Sequence, residues 1–107
     1  FDLCAMGWSA DYLHPMTFLP LLVTGDINNL GKYSNADYDA LVAKAQSEVD
    51  AAAAMATMQQ ADNLASAEYP VLNLYYKANM MLMKSTVQGY YLNASDTLYL
   101  KTAKVTE

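Results

Sequence analysis

The sequence predicts an α+β domain in which two helices pack on a small mixed sheet, and three observations carry that expectation. Between residues 35 and 68 apolar side chains recur at helical spacing. From Val71 onward the apolar runs are β-branched and aromatic, as strands prefer. The order of elements is strand, long loop, two helices and then several strands. It lacks the regular strand–helix alternation that builds a parallel sheet.

Residues 1–10 read as a strand, with Phe1, Leu3 and Ala5 on one face and Asp2, Cys4 and Met6 on the other. No initiating Met, signal peptide or polar lead-in precedes it, so the chain is expected to be a piece of a longer protein. Residues 11–33 carry Pro15, Pro20, Gly25, Asp26, Asn28, Asn29 and Gly31 as turn formers. Within this loop, Phe18 to Val23 is an apolar stretch that suits one or two helical turns packed inward. So long a connection is usually functional.

The helical region spans about residues 35–68. Ser34 or Asn35 can cap the first helix, and Asp37, three residues after Ser34, makes a capping-box variant. Tyr38, Leu41, Val42 and Ala45 form its apolar face. Asp50 starts the second helix, whose stripe is Met55, Met58, Ala61, Leu64 and Ala65. Tyr69-Pro70 ends it, because a residue before proline avoids the α region. Strands are then expected over about residues 71–101, at Val71–Tyr76, Met80–Met83, Val87–Leu92 and Thr97–Leu100. A turn at Lys77-Ala78-Asn79 joins the first two, and the tail from Lys101 is polar.

Composition excludes several function classes. The chain has 107 residues, 54% apolar and only 16% charged, with a net charge of −5. A soluble domain usually carries about 25% charged residues, so some apolar surface here is expected to be covered by something else. The six basic residues are lysines scattered singly. Nucleic-acid binding needs clustered cations, so no nucleic-acid partner is expected. The single cysteine excludes an internal disulfide framework. No apolar run reaches the roughly 18 residues of a membrane-spanning helix.

Enzymatic and metal readings fail on chemistry. Cys4, His14 and Asp11 could form a nucleophilic set only by converging in space, and nothing near Cys4 would lower its pKa. The same residues lack the paired Cys/His spacing of zinc sites. The four glycines lie too far apart for a phosphate loop. Asp37 and Asp39 sit in a first helical turn, where they favour the dipole. No enzyme activity, metal or cofactor is expected.

The segment Gly7-Trp8-Ser9-Ala10-Asp11-Tyr12 differs from the rest. Glycine admits close backbone approach, and Trp8 and Tyr12 offer apolar faces with polar tips, the usual lining of a ligand pocket. Asp11 adds one negative charge beside them. The same residues also suit an ordinary strand end with its aromatics in the core; the long loop that follows keeps the binding reading open. Nine tyrosines against two phenylalanines, with seven methionines, suit adaptable contact surfaces as well as core filling.

Trp8-Ser9-Ala10-Asp11-Tyr12, followed by His14-Pro15 and Phe18-Leu19, resembles the C-terminal region of the oligopeptide- and dipeptide-binding proteins of ABC importers. Asn28-Asn29, Tyr33-Ser34-Asn35 and Tyr38-Asp39-x-Leu41 resemble that family's next block. Gln59 or Gln60, Ala61, Leu64, Glu68 and Pro70-Val71-x-x-Leu74-Tyr75-Tyr76 resemble the one after it. Two positions depart: Asn73 stands where the family often has proline, and Ala51–Ala54 replaces a more charged helix start.

The resemblance implies a partial lobe of a periplasmic-binding-protein-like (type II) fold, supplying one wall of a cleft that closes over an extended peptide. It implies that Asp11 receives the peptide's free α-ammonium, that Gly7, Ser9 and Ala10 offer main-chain hydrogen bonds, and that Trp8 walls a side-chain pocket beside Tyr12. Tyr75 or Tyr76 is expected to line the cavity. The implied partners are short peptides held by their free N-terminus and a membrane permease of an ABC importer. The implied location is extracytoplasmic, in the periplasm or on the outer face of the cell membrane, with a lipid anchor on a segment N-terminal to this one. Exposed strand edges would invite self-association. Two alternatives remain: the same fold with nickel, haem or a sugar as ligand, and an independent small interaction domain.

Overall fold

Asn35 opens the first helix. Its side-chain oxygen accepts hydrogen bonds from the backbone N–H of Asp37 and of Tyr38, at 2.9 and 3.1 Å, which satisfies two of the donors a helix start leaves unpaired. In the computed structural model, which describes residues 2–78, 80–93, 95 and 97–106, α1 runs Ala36–Ser47 and α2 runs Ala51–Glu68. The capping role falls to Asn35 and not to Ser34, so Asp37 lies at the second helical position and makes no capping box. Asp50 caps α2 as expected, accepting from the Ala53 N–H at 2.7 Å. Tyr69 ends α2 in the left-handed conformation (φ 53°, ψ 45°), with its N–H on the Ala65 carbonyl. A residue before proline cannot easily continue a helix.

The core lies between these helices. Tyr38, Val42 and Ala45 of α1 meet Ala54, Met58, Ala61 and Ala65 of α2, with Leu19 closing one end. The small side chains of α2 let α1 approach closely. The expected stripe on α2 needs one correction: Met55 is about half exposed, and Ala54 and Thr57 are buried instead. One residue turns a helix by about 100°, so Met55 cannot share the face set by Ala54, Met58, Ala61 and Ala65.

The loop forms two 3-10 turns, Pro15–Thr17 and Leu19–Leu22, and the stretch expected to pack inward falls on the second, with Leu19 buried but Phe18 exposed. Leu19 is buried, and its carbonyl accepts the Tyr38 hydroxyl at 2.6 Å. Loop residues 24–34 fold around Asn29, which is 7% exposed. Its amide donates to the carbonyls of Leu22, Val23 and Tyr33, and its oxygen accepts from the Tyr33 N–H. Thr24 binds back to α1 through Asp39 Oδ1 and to Ser34 through its hydroxyl.

The sheet departs from expectation. Residues 2–10, the described part of the expected strand 1–10, and the expected strands at 71–76 and 80–83 hold no regular secondary structure. The first residue of that strand, Phe1, and the turn residue Asn79 lie outside the described residues. A strand exists only through its partner, and no described segment offers these runs a backbone ladder. They are largely exposed, with Leu72, Leu74, Tyr76, Met80 and Leu82 all turned to solvent.

The strands that do form are β1 Val87–Gln88, β2 Tyr91–Leu92, β3 Leu98–Tyr99 and β4 Lys104–Val105. They make two antiparallel ladders, β1 with β4 and β2 with β3, in place of one mixed sheet under the helices. The ladders nest as one interrupted hairpin. Asn93 Oδ1 accepts from the N–H groups of Ser95 and Thr97 at its tip, and the Tyr91 and Tyr99 rings stack 4.7 Å apart across β2 and β3. Gly89 allows the interruption: its φ is +76°, and a Cβ there would overlap the Thr102 carbonyl. Strand β4 falls in the tail that the sequence presents as polar. The radius of gyration is 18.5 Å, against about 13 Å for a compact domain of this length, which reflects the unpaired runs. Among the described residues no helix is long and apolar enough to cross a membrane.

Two substitutions test this architecture by urea unfolding. Tyr38→Phe keeps the ring but removes the hydroxyl that the buried Leu19 carbonyl accepts, and should cost about 0.5–1.5 kcal/mol. Tyr69→Gly relieves the left-handed turn at an exposed position, and should add about 0.5–1 kcal/mol.

Candidate functional site

The segment that carries the ligand-type residues reaches the helical body at Asp11. Gly7, Trp8 and Ser9 are exposed, with Trp8 at 40%, and Ala10 is half-buried. Among the described residues nothing lies within 4 Å of where a Gly7 Cβ would stand. The first hydrogen bond along the segment is from the Asp11 N–H to Thr17 Oγ1, at 3.0 Å. The Asp11 carboxylate is exposed and accepts no hydrogen bond from the described residues. Tyr12 turns back toward His14, with ring centroids 6.4 Å apart. The His14 ring nitrogen Nδ1 accepts the Met16 N–H, which caps the first 3-10 turn.

Beyond Tyr12 opens a cleft of about 480 Å³ between the 3-10 turns and the junction of α1 with α2. Met16, Pro20 and Met58 bring apolar surface to it, and His14 and Glu48 bring polar groups. Of the expected ligand-contacting residues, only Tyr12 lines it. Tyr75 and Tyr76 lie on the exposed extended run, 81% and 99% accessible. Among the described residues, no hydrogen bond or ring contact joins them to Trp8–Tyr12. Gly7 to Tyr12 are thus joined by sequence alone, and of them only Tyr12 lines the cleft. Among the described residues, no three His, Cys, Asp or Glu side chains group as a metal site.

Several residues that organise this region escaped the sequence reading. Thr17, 5% exposed, tethers Asp11. Asn29 holds the following loop. Glu68 joins the end of α2 to the start of α1: its two oxygens accept from the Tyr33 hydroxyl at 2.7 Å and from the Asn35 amide at 2.9 Å. Asn29, Tyr33, Asn35 and Glu68 belong to the blocks that carry the family resemblance and Thr17 does not, yet the work of all five is structural. The Tyr33 ring also meets Tyr38 edge-on, 5.7 Å between centroids. No local signal in the sequence separates a buried, fully bonded Asn from an exposed turn Asn.

The charges of the Glu68 clamp respond to these contacts. The hydrogen bonds from Tyr33 and then Asn35 hold the Glu68 carboxyl below its ordinary range. Partial burial, followed by the bond to Glu68, pushes the Tyr33 hydroxyl above its ordinary value. A carboxylate whose folded pKa is depressed contributes stability that is present above its unfolded pKa and is lost as pH falls through the folded one.

The comparisons with known proteins agree with the residue blocks. No protein-family model matches the chain. Over nearly its whole length, however, it is similar to periplasmic peptide-binding proteins. It is 31% identical to the periplasmic murein peptide-binding protein of Escherichia coli (strain K12), over 95% of this chain and 19% of that protein. It is 28% identical to the periplasmic oligopeptide-binding protein of Haemophilus influenzae, over 94% of this chain and 19% of that protein. The probable deoxycholate-binding periplasmic protein of E. coli is 34% identical over the same shares. The chain thus spans about a fifth of the length of the curated relatives it matches.

Glu68→Gln tests the clamp. Its thermal midpoint should lie below that of the unsubstituted chain near neutral pH, and the gap should narrow as pH is lowered from about 5 to about 3. A gap that does not change with pH would show that the Glu68 charge plays no part.

Proposed function

Taking relatedness to oligopeptide- and dipeptide-binding proteins as the premise, we propose that this chain supplies one wall of a peptide-binding cleft in an extracytoplasmic solute-binding protein. That protein hands peptides to the membrane permease of an importer and catalyses no reaction. The observation that carries this reading is the match over nearly the whole chain to proteins named for peptide binding.

The geometry suits the role. Gly7 to Ala10 makes no backbone hydrogen bond among the described residues, which suits pairing with a peptide strand. Such β-addition gives affinity without demanding a sequence. The Asp11 carboxylate, which accepts no hydrogen bond from the described residues, receives the peptide's α-ammonium. A charge-assisted hydrogen bond of this kind fixes the register of the bound peptide. Trp8 and Tyr12 flank the anchor with apolar faces. The remainder of a two-lobed protein covers the exposed runs at 2–8, 71–78 and 80–82. In the isolated chain those runs invite self-association. A second reading keeps the same wall for a non-peptide amphiphile. It draws on the 34% identity to the probable deoxycholate-binding protein.

Calorimetric titration of the two-lobed protein carrying this segment, with one short peptide free and then N-acetylated, separates these readings. The free form should bind, and the acetylated form should bind much more weakly. Asp11→Asn should weaken the free form by about 2–4 kcal/mol, the scale for removing one partner of a hydrogen-bonded charge pair. Equal binding of both forms would remove Asp11 from its role, and failure of a peptide pool beside binding of a bile acid would favour the second reading.

A further inference from the structure

The geometry points to Thr17 as the positioning residue for the Asp11 anchor, an inference that rests on the peptide-binding reading above. Residues 2–10 make no backbone hydrogen bond within the described structure. The anchor would therefore ride on a free segment were it not tied at its own N–H, which donates to Thr17 Oγ1 at 3.0 Å. Thr17 is a buried polar residue, 5% exposed, on the first 3-10 turn. That turn is itself fixed. The Thr17 N–H donates to the His14 carbonyl at 3.1 Å, and the Phe18 N–H to the Pro15 carbonyl at 2.9 Å. The next turn begins at Leu19, whose carbonyl takes the Tyr38 hydroxyl in the core.

A short chain of bonds therefore runs from the buried Tyr38 ring through Leu19 and Thr17 to the backbone of Asp11. It sets where the carboxylate stands without touching the carboxylate. A hydrogen bond to the backbone constrains position and leaves the side-chain oxygens free for a ligand. That is the arrangement an anchor needs if its geometry is to be fixed before binding.

Thr17→Val removes the acceptor and keeps a branched apolar body suited to a buried site, while Thr17→Ser keeps the acceptor. Amide hydrogen exchange on the chain and peptide titration on the two-lobed protein are measured for both variants, with Asp11→Asn alongside. In Thr17→Val the Asp11 amide should exchange about tenfold faster while α1 amides keep their rates. A free-amine peptide should bind about five- to tenfold more weakly, whereas the residual binding of its N-acetylated form should not change. Thr17→Ser should restore both. Unchanged exchange at Asp11, or a loss shared equally by free and acetylated peptides, overturns the assignment. If Thr17→Val is silent while Asp11→Asn abolishes the preference for the free amine, the anchor stands and only the positioning role falls. If Asp11→Asn is also silent, the anchor reading has failed and the positioning role with it.

Discussion

One buried ring organises this chain. Tyr38 is fully enclosed between the two helices, and burial raises its hydroxyl well above the ordinary tyrosine range, so it stays protonated and donates to the Leu19 carbonyl. A buried carbonyl left without such a donor costs as much as several ordinary surface contacts contribute. The bond therefore commits the stretch from Pro15 to Leu22 to one position on the helical pair. Everything on the ligand side follows: the 3-10 turns, the Thr17 tether and the point at which the Trp8–Tyr12 segment meets the body. On its other side Tyr38 supports the Tyr33 ring, whose hydroxyl reaches Glu68 at the far end of α2.

The result is a division of labour within a short sequence. Small residues on α2 (Ala54, Ala61 and Ala65) bring the helices close, and a polar net through Asn29, Tyr33, Asn35 and Glu68 locks the loop that leads into α1. This part is stiff because its buried groups are paired; no buried side-chain nitrogen or oxygen among the described residues lacks a partner. The segments on either side are the opposite, apolar and largely exposed, with no backbone hydrogen bond at 2–10, 71–78 or 80–83 among the described residues. A stiff platform that carries open edges is suited to receive other strands, whether from a ligand or from the rest of a larger sheet.

The helical half was legible in the sequence and the sheet was not. Asp50 and Tyr69-Pro70 announce the ends of α2 through local chemistry, and the composition of Phe18–Val23 announces a helical turn with Leu19 packed inward, although Phe18 itself is exposed. Runs such as Val71–Tyr76 have strand-like residues, but a strand is a property of two segments, and the sequence of one does not contain its partner. The nested hairpin was half visible. Val87–Leu92 and Thr97–Leu100 were expected as strands, whereas Lys104–Val105 pairs through register with Val87 and Gln88 despite its polar setting. At the candidate site, Gly7 to Tyr12 stood out by residue type. Thr17 and Glu68 did not, because their importance lies in what they touch six and more than thirty residues away.

The account's central claim is that the segment ending at Asp11 is a wall against which a peptide lies with its amino end at that carboxylate. A crystal structure of the two-lobed protein with a short free-amine peptide tests it most directly. The account predicts the peptide ammonium about 2.7–2.9 Å from an Asp11 oxygen, with the peptide backbone hydrogen-bonded to the main chain between Gly7 and Ala10. A peptide whose ammonium sits elsewhere, with Gly7 to Ala10 paired to the protein's own strands, would contradict it.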